Sequence, residues 1–330
     1  MKLNNSITDI PGFQVGQETD ETALTGCTVI LCPAGAVGGV DQRGGAPGTR
    51  ETDLLRPLHL VNEVHGIVLA GGSAYGLDAA SGVMQYLEEK GVGYNTGAAR
   101  VPIVPAAILY DLGVGDPKTR PDANMGYRAC QSASSTRPAE GNVGAGTGCT
   151  VGKILGPGQA MKSGIGTASL EIGGGVRVAA LIAVNAFGDV IDPHTAQIIA
   201  GARSKREGLI KLGSPDYFAD TQEVMKTFIG RMVLGIASRG NTVIGVVATN
   251  ARLDKDGANK VAQMAHNGLA RTIRPAHTML DGDTIFSLAA GKKKADLSVV
   301  GAFAAEVVAQ AVVNAVRAAK PAAGLPGLAP

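Results

Sequence analysis

Gly240-Asn241-Thr242-Val243-Ile244-Gly245-Val246-Val247-Ala248 is the stretch at which the chain changes character. Asn and Gly suit a turn with positive φ, and the β-branched run that follows predicts a strand from Thr242. Upstream, Gly201 to Gly240 is crowded with Arg203, Lys205, Arg206, Glu207, Lys211, Asp216, Asp220 and Glu223, and reads as a mobile surface connection with an amphipathic helix at Thr221 to Met232. Downstream, Val261, Met264, Ala265 and Leu269 fall on one face of a helix from Asp256 to Thr272 that Pro275 ends. Leu280-Asp281-Gly282-Asp283 then turns into a strand at Thr284 to Ala289. The last apolar segment, Leu297 to Ala319, carries Glu306, Gln310, Asn314 and Arg317 as one polar stripe, which reads as a buried helix and not a membrane span.

Before the connection, short buried strands are expected at Thr28 to Leu31 and Gly66 to Ala70. The second leads through Gly71-Gly72 into a helix over Ser73 to Lys90, with Leu77, Ala80, Val83, Met84 and Leu87 on one face. Val101 to Leu112 is apolar, Gly113 to Asn124 reads as loop, and Ser169 to Asn185 holds two strands around Gly173-Gly174-Gly175. The whole is an α/β chain read as one catalytic domain over residues 1–330.

Composition narrows the function. Charged residues are only 18% against 45% apolar, so part of the surface is expected to be covered by copies of the chain. A net charge of +2, 4% aromatics and no Trp offer neither a phosphate-tracking face nor stacking platforms, so no nucleic-acid partner is expected. Lys292-Lys293-Lys294 reads as a solvated turn. Cys27, Cys32, Cys130 and Cys149 have no metal-type spacing and read as buried thiols, and the N-terminus lacks a secretory signal, so the expected address is cytoplasmic.

Several motifs fail on spacing. Tyr75 stands where a nucleophile elbow around Ser73 needs glycine, and Gly144-Ala145-Gly146-Thr147-Gly148 and Gly152-Lys153 match neither a dinucleotide nor a Walker loop. His59, His65, His194, His266 and His277 are scattered singly, so no metal or other cofactor is expected. What remains is the Asn241–Thr242 junction, which taken alone is an ordinary turn into a strand. Its chemistry is nonetheless distinctive. Cleaving that bond would give Thr242 a hydroxyl nucleophile together with an α-amine of pKa ~7.7–8.0, suited to act as its general base.

Eight blocks in order, nearly end to end, then carry a resemblance. They are Arg43-Gly44-Gly45-Ala46-Pro47-Gly48-Thr49-Arg50-Glu51-Thr52-Asp53, Ala70-Gly71-Gly72-Ser73-Ala74-Tyr75-Gly76-Leu77, Ile108-Leu109-Tyr110-Asp111, Gly152-Lys153, Val184-Asn185, Gly240-Asn241-Thr242, Ala248-Thr249-Asn250, and Pro275-Ala276-His277-Thr278 to Asp283-Thr284. The chain resembles the DmpA-type aminopeptidases, the self-cleaving β-aminopeptidase family that includes the endo-type 6-aminohexanoate-oligomer hydrolase (nylon hydrolase).

The resemblance implies a four-layer α/β/β/α sandwich of N-terminal-nucleophile-hydrolase-like layout. It implies self-cleavage between Asn241 and Thr242 into associated chains of residues 1–241 and 242–330, with multimers of the pair, a tetramer foremost. By position, Thr242 is the nucleophile, Asn185 an oxyanion-binding amide, and Lys153 and Tyr110 neighbours that steer protons and charge. Asp281 and Asp283 are implied to hold the new amine. The Asp-Gly-Asp turn and the Asn-Thr cleavage point follow the nylon-hydrolase branch, whereas the Arg43 to Asp53 block follows the aminopeptidase pattern. The implied substrates are therefore small peptides or ω-amino-acid oligomers. An acyltransferase of the self-cleaving ornithine acetyltransferase kind, or a non-catalytic small-ligand-binding protein, are the alternatives.

Overall fold

The computed structural model describes residues 3–205, 216–228, 230 and 240–330. Its main sheet has nine strands, β1 (Gln14–Asp20), β2 (Thr25–Gln42), β3 (Thr49–Arg50), β4 (Glu63–Ala70), β5 (Ala106–Ile108), β6 (Ile165–Glu171), β7 (Arg177–Asn185), β8 (Thr242–Ala251) and β9 (Thr284–Lys293). Among the described residues the long helices are α1 (Ala79–Glu89), α2 (Ala123–Gln131), α4 (Lys255–Thr272) and α5 (Leu297–Arg317), with the short α3 (Thr221–Lys226) between α2 and α4. Strand order is β6-β7-β8-β9-β2-β4-β5-β3, with β1 also on β2. The two parallel pairs are β8 with β9, joined through α4, and β4 with β5, joined through α1.

Continuous hydrogen bonding hides two layers. The 18-residue β2 pairs with β1 and β4 through Thr25–Leu31 and with β9 through Val37–Gln42, and its register with β4 shifts between Leu31 and Ala36. Pro33 and Gly35 lie in that shift, where a strand bends most easily. Alternating side chains then separate three cores. Val178, Ala180, Ile182, Val184, Val243 and Val247 pack under α4 and α5 with Val261, Leu269 and Val308. The intervening Ala179, Leu181, Ala183, Ile244 and Val246 face Ile30, Ile67, Leu69 and Leu109 of the other half-sheet. Val29, Leu31 and Val68 point away from that middle core onto Ala79, Val83 and Met125 of α1 and α2. The molecule is thus helix, sheet, sheet, helix, the expected four-layer sandwich.

The expected strands at Thr28–Leu31, Gly66–Ala70, Ser169–Asn185, Thr242–Ala248 and Thr284–Ala289 all lie within or across observed ones, and the helices at Asp256–Thr272 and Leu297 onward are present. Several readings need correction. β2 is far longer than its four-residue signal. The Gly113 to Asn124 loop ends at Ala123, where α2 begins, capped by the Asp122 carboxylate on Met125 N. Ser73–Asp78 forms a 3₁₀ segment before α1. Lys292 and Lys293 belong to β9, Lys293 pairing with Ala251, so only Lys294 has left the strand.

In the charged connection, α3 covers Thr221–Lys226 and the remainder of the expected helix beyond residue 230 lies outside the described residues. The described parts of the connection are anchored: the buried Asp189 carboxylate accepts Ala202 N at 2.7 Å, Thr221 N at 2.6 Å and Thr221 Oγ1 at 2.9 Å. α5 is long and apolar enough to cross a membrane, but 67% of its apolar window is buried against α4, β6 and β7. All four cysteines are free and buried, and burial pushes each thiol upward, Cys32 to about 12.

Candidate active site

Thr242 is the first residue of β8 and is paired in register with Asn185, the last residue of β7. Two strand ends thereby bring a hydroxyl and an amide side by side. Thr242 is 4% exposed, and its Oγ1 donates a short hydrogen bond to the carbonyl oxygen of Asn241, the residue before it. Gly282 N donates to the same oxygen at 2.9 Å. A carbonyl holding two donors on its oxygen is polarised toward attack at its carbon.

The second donor comes from the Asp281-Gly282-Asp283 turn. Asp283 Oδ1 accepts Val243 N at 2.8 Å, while its Oδ2 accepts His277 N at 3.1 Å and His277 Nδ1 at 2.8 Å. Asp281 Oδ2 accepts Thr278 N at 3.0 Å and Thr278 Oγ1 at 2.5 Å, and its Oδ1 accepts Phe187 N at 3.3 Å. Both carboxylates are buried, and desolvation, reinforced by the neighbouring Asp283, raises the Asp281 carboxyl above its usual range. The Arg43–Ala46 segment straps the turn, with Arg43 N on Asp283 O at 2.9 Å and Ala46 N on Asp281 O at 2.8 Å. Gly282 has to be glycine, because a Cβ there would lie 2.5 Å from Ala46 O.

On the other side, Asn185 Oδ1 accepts Lys153 Nζ at 2.7 Å and Thr150 N at 3.1 Å. Lys153 Nζ also donates to Asn185 O at 3.0 Å and to Gly240 O at 3.2 Å. Desolvation is the largest cause lowering this ammonium to about 7, against an ordinary 10.5. Asn185 Nδ2 donates to Tyr110 O at 2.8 Å and to Gly240 O at 3.4 Å. In the intact chain, then, the amide and the lysine address the carbonyl one residue upstream of Asn241. A cavity of about 300 Å³ opens beside them, lined among others by Tyr110, Val114, Thr150, Lys153, Gly240 and Leu325.

All seven residues named from sequence, Tyr110, Lys153, Asn185, Asn241, Thr242, Asp281 and Asp283, meet in this one network. Sequence reading missed His277, Thr278, Thr150 and the Gly282 amide. His277 and Thr278 lay inside a matched block, but only the folded turn shows them fastening the two carboxylates. His266 packs its ring edge-on against His277 at 4.9 Å between centroids, and burial lowers it to about 4, so it stands neutral at ordinary pH.

Comparison with solved structures places this architecture. The chain superposes on the L-aminopeptidase D-Ala-esterase/amidase of Ochrobactrum anthropi, a variant of the Ntn-hydrolase fold, with a TM-score of 0.69 at 20% identity, covering 96% of this chain and 86% of that one. A β-aminopeptidase of a Burkholderia species gives 0.67 at 24% identity, covering 98% and 91%. The fold is that of the Ntn hydrolases, and the family and relatives that follow make the protein a hydrolase acting on amide bonds. The profile of peptidase family S58 matches residues 5–329, and the chain belongs to that family. It is 43% identical to an uncharacterized aminopeptidase of Mycobacterium leprae, over 98% of this chain and 92% of the relative. It is also 33% identical to the 6-aminohexanoate-oligomer endohydrolase of a Kocuria species, over 94% and 85%.

Proposed function

We propose that the chain is the precursor of an N-terminal-threonine amidohydrolase that cuts itself between Asn241 and Thr242 and then hydrolyses small peptides or ω-amino-acid oligomers. The observation that carries this reading is the Thr242 hydroxyl lying against the Asn241 carbonyl whose oxygen Gly282 N already holds. In the first step Oγ1 attacks the Asn241 carbonyl carbon, the C–N bond to Thr242 breaks, and the hydroxyl proton passes to the leaving nitrogen. Water then hydrolyses the resulting ester, leaving an Asn241 carboxylate and a free Thr242 amine.

In the mature enzyme that amine, near neutral in pKa, takes the hydroxyl proton as Thr242 attacks a substrate amide and returns it to the departing amine. Asp283, fixed by His277, and Asp281, fixed by Thr278, flank the new N-terminus and orient it. Asn185 and Lys153, relieved of Gly240 O, present N–H groups to the incoming chain, and the ester on Thr242 is released by water. No step calls for a cofactor.

Denaturing mass analysis tests the scheme. Wild type is expected as two chains, the smaller beginning Thr-Val-Ile-Gly, and Thr242→Ala as one chain without amidase activity. A split or fully active Thr242→Ala protein removes Thr242 from the mechanism.

A further inference from the structure

Asp283 lies beside the start of β8, where its Oδ1 accepts Val243 N at 2.8 Å. A carboxylate oxygen offers about two lone-pair directions. On Oδ2 both are taken by a single residue, His277, through its backbone N at 3.1 Å and its ring Nδ1 at 2.8 Å. What remains for a further donor is one direction on Oδ1. Histidine is an unfavourable residue here on structural grounds alone. Its backbone is left-handed, with a φ of 59° that glycine or asparagine adopts more readily. Its Nε2 is buried with no hydrogen-bond partner among the described residues, a loss that an apolar side chain would avoid. Nor do the neighbouring charged and titratable groups call for it. Asp281, on the same turn, is held by Thr278 and by Phe187 N. His266, packed edge-on from α4, donates Nε2 to Asp41 O at 2.9 Å and is kept neutral by burial, while Asp41 pairs with Arg43 at 2.7 Å. Among the described residues, the bond from Nδ1 to Asp283 is the one hydrogen bond of the His277 ring.

Resting on the reading of Thr242 as an N-terminal nucleophile, we infer that His277 is a positioning residue that tunes the base: by filling Asp283 Oδ2 it confines the freed Thr242 amine to Oδ1 and limits the negative charge that amine meets. A carboxylate beside an amine favours the ammonium form, and a donor on the carboxylate weakens that pull. An Asp283 relieved of the ring N–H would hold the Thr242 nitrogen protonated, and a protonated nitrogen cannot take the hydroxyl proton. The imidazole N–H thus keeps the amine a working base near neutral pH. His277 touches neither substrate nor nucleophile in this scheme and acts through Asp283 alone.

The amine is titrated directly, through the pH dependence of the Thr242 Cβ shift in processed enzyme labelled with 13C-threonine, so no substrate need be known. His277→Gly is expected to raise its midpoint by about one pH unit, a tenfold smaller fraction of free base at pH 7. His277→Asn, whose Nδ2 can stand where the ring Nδ1 stood, is expected to return the midpoint to within about 0.3 unit of wild type. Both replacements suit a left-handed backbone, so strain does not separate them, and loss of packing alone does not move a midpoint that asparagine restores. A midpoint unmoved or lowered in His277→Gly, or displaced as far in His277→Asn, overturns the inference. Should His277→Gly fail to fold or process, 15N-labelled histidine in the wild type decides: the His277 ring, assigned by its absence from His277→Asn, is expected to carry hydrogen on Nδ1, and a bare Nδ1 overturns the inference. N-terminal sequencing reports separately on Thr242. No Thr-Val-Ile-Gly sequence in the wild type sinks the nucleophile and this inference with it, whereas that sequence with an unmoved midpoint sinks the tuning by His277 alone.

Discussion

Two lysines of this protein are drawn in from solvent, one wholly buried and one half-buried beside the cavity, and their surroundings differ in one respect that matters. Lys162 is wholly buried, donates to Thr147 O and Cys149 O at 2.8 Å each, and is lowered to about 8, mainly by desolvation. Lys153 grips Asn185 and Gly240 O and is lowered to about 7 for the same leading reason. Both ammonium groups rest chiefly on carbonyl oxygens. Lys162 ties down the glycine-rich loop that precedes Thr150, whereas Lys153 borders the cavity and reaches the segment before Thr242. A perturbed, desolvated cation is therefore not by itself a sign of catalysis; contact with the segment before Thr242 is what separates the two.

The sharpest way to break the comparison is to replace each with methionine. Lys153→Met is expected to lower both self-cleavage and amidase activity about a hundredfold, because the carbonyl one unit before the reacting bond loses a donor that positions it, as read by intact-mass time courses and kcat/KM. Lys162→Met is expected to cost about 2 kcal/mol in denaturant unfolding, because two buried carbonyls lose their donor, with activity per processed molecule within about threefold of wild type. Large activity loss in the second and not the first would reverse the assignment.

A smaller effect follows from proton linkage. A lysine depressed in the folded state binds fewer protons than in the unfolded chain between its folded value and 10.5. Its burial therefore costs stability in full below the folded value, and that cost fades as pH rises toward 10.5. Wild type is expected to gain stability relative to Lys162→Met as pH is raised from 8 to 10, and relative to Lys153→Met from 7 upward. A gap that stays flat in equilibrium unfolding across this range would show that neither lysine is depressed. Least of all, Arg317→Ala, which removes a 3.7 Å surface pair with Asp192, is expected to change stability by under about 0.5 kcal/mol.

The elements that sequence reveals are those whose apolar period is unbroken, such as β8 and α4. β2 escapes because Pro33, Gly35, Gly38 and Gly39 interrupt its pattern, although tertiary packing uses the last two. A Cβ on Gly39 would meet the α4 backbone at 2.4 Å. α2 escapes for a related reason. Gly126 reads as a helix breaker, yet with Gly82 it lets α2 and α1 cross in contact, each glycine lying against the other helix's backbone. In the site, Thr242 and the two carboxylates are visible through block resemblance. The fastening by Thr278 and His277 exists only once distant segments converge.

The placement of β8 and β9 has a last consequence. Both belong to residues 242–330, yet they sit as an inner pair, with β7 of the earlier residues laddered along one side and β2 along the other. The proposed cut before Thr242 would free a new end without freeing a piece, since departure would tear two seams at once. On the proposed scheme assembly would precede the cut, and renaturing the two fragments after separation would become a slower, concentration-dependent meeting of strangers that the uncut polypeptide never faces.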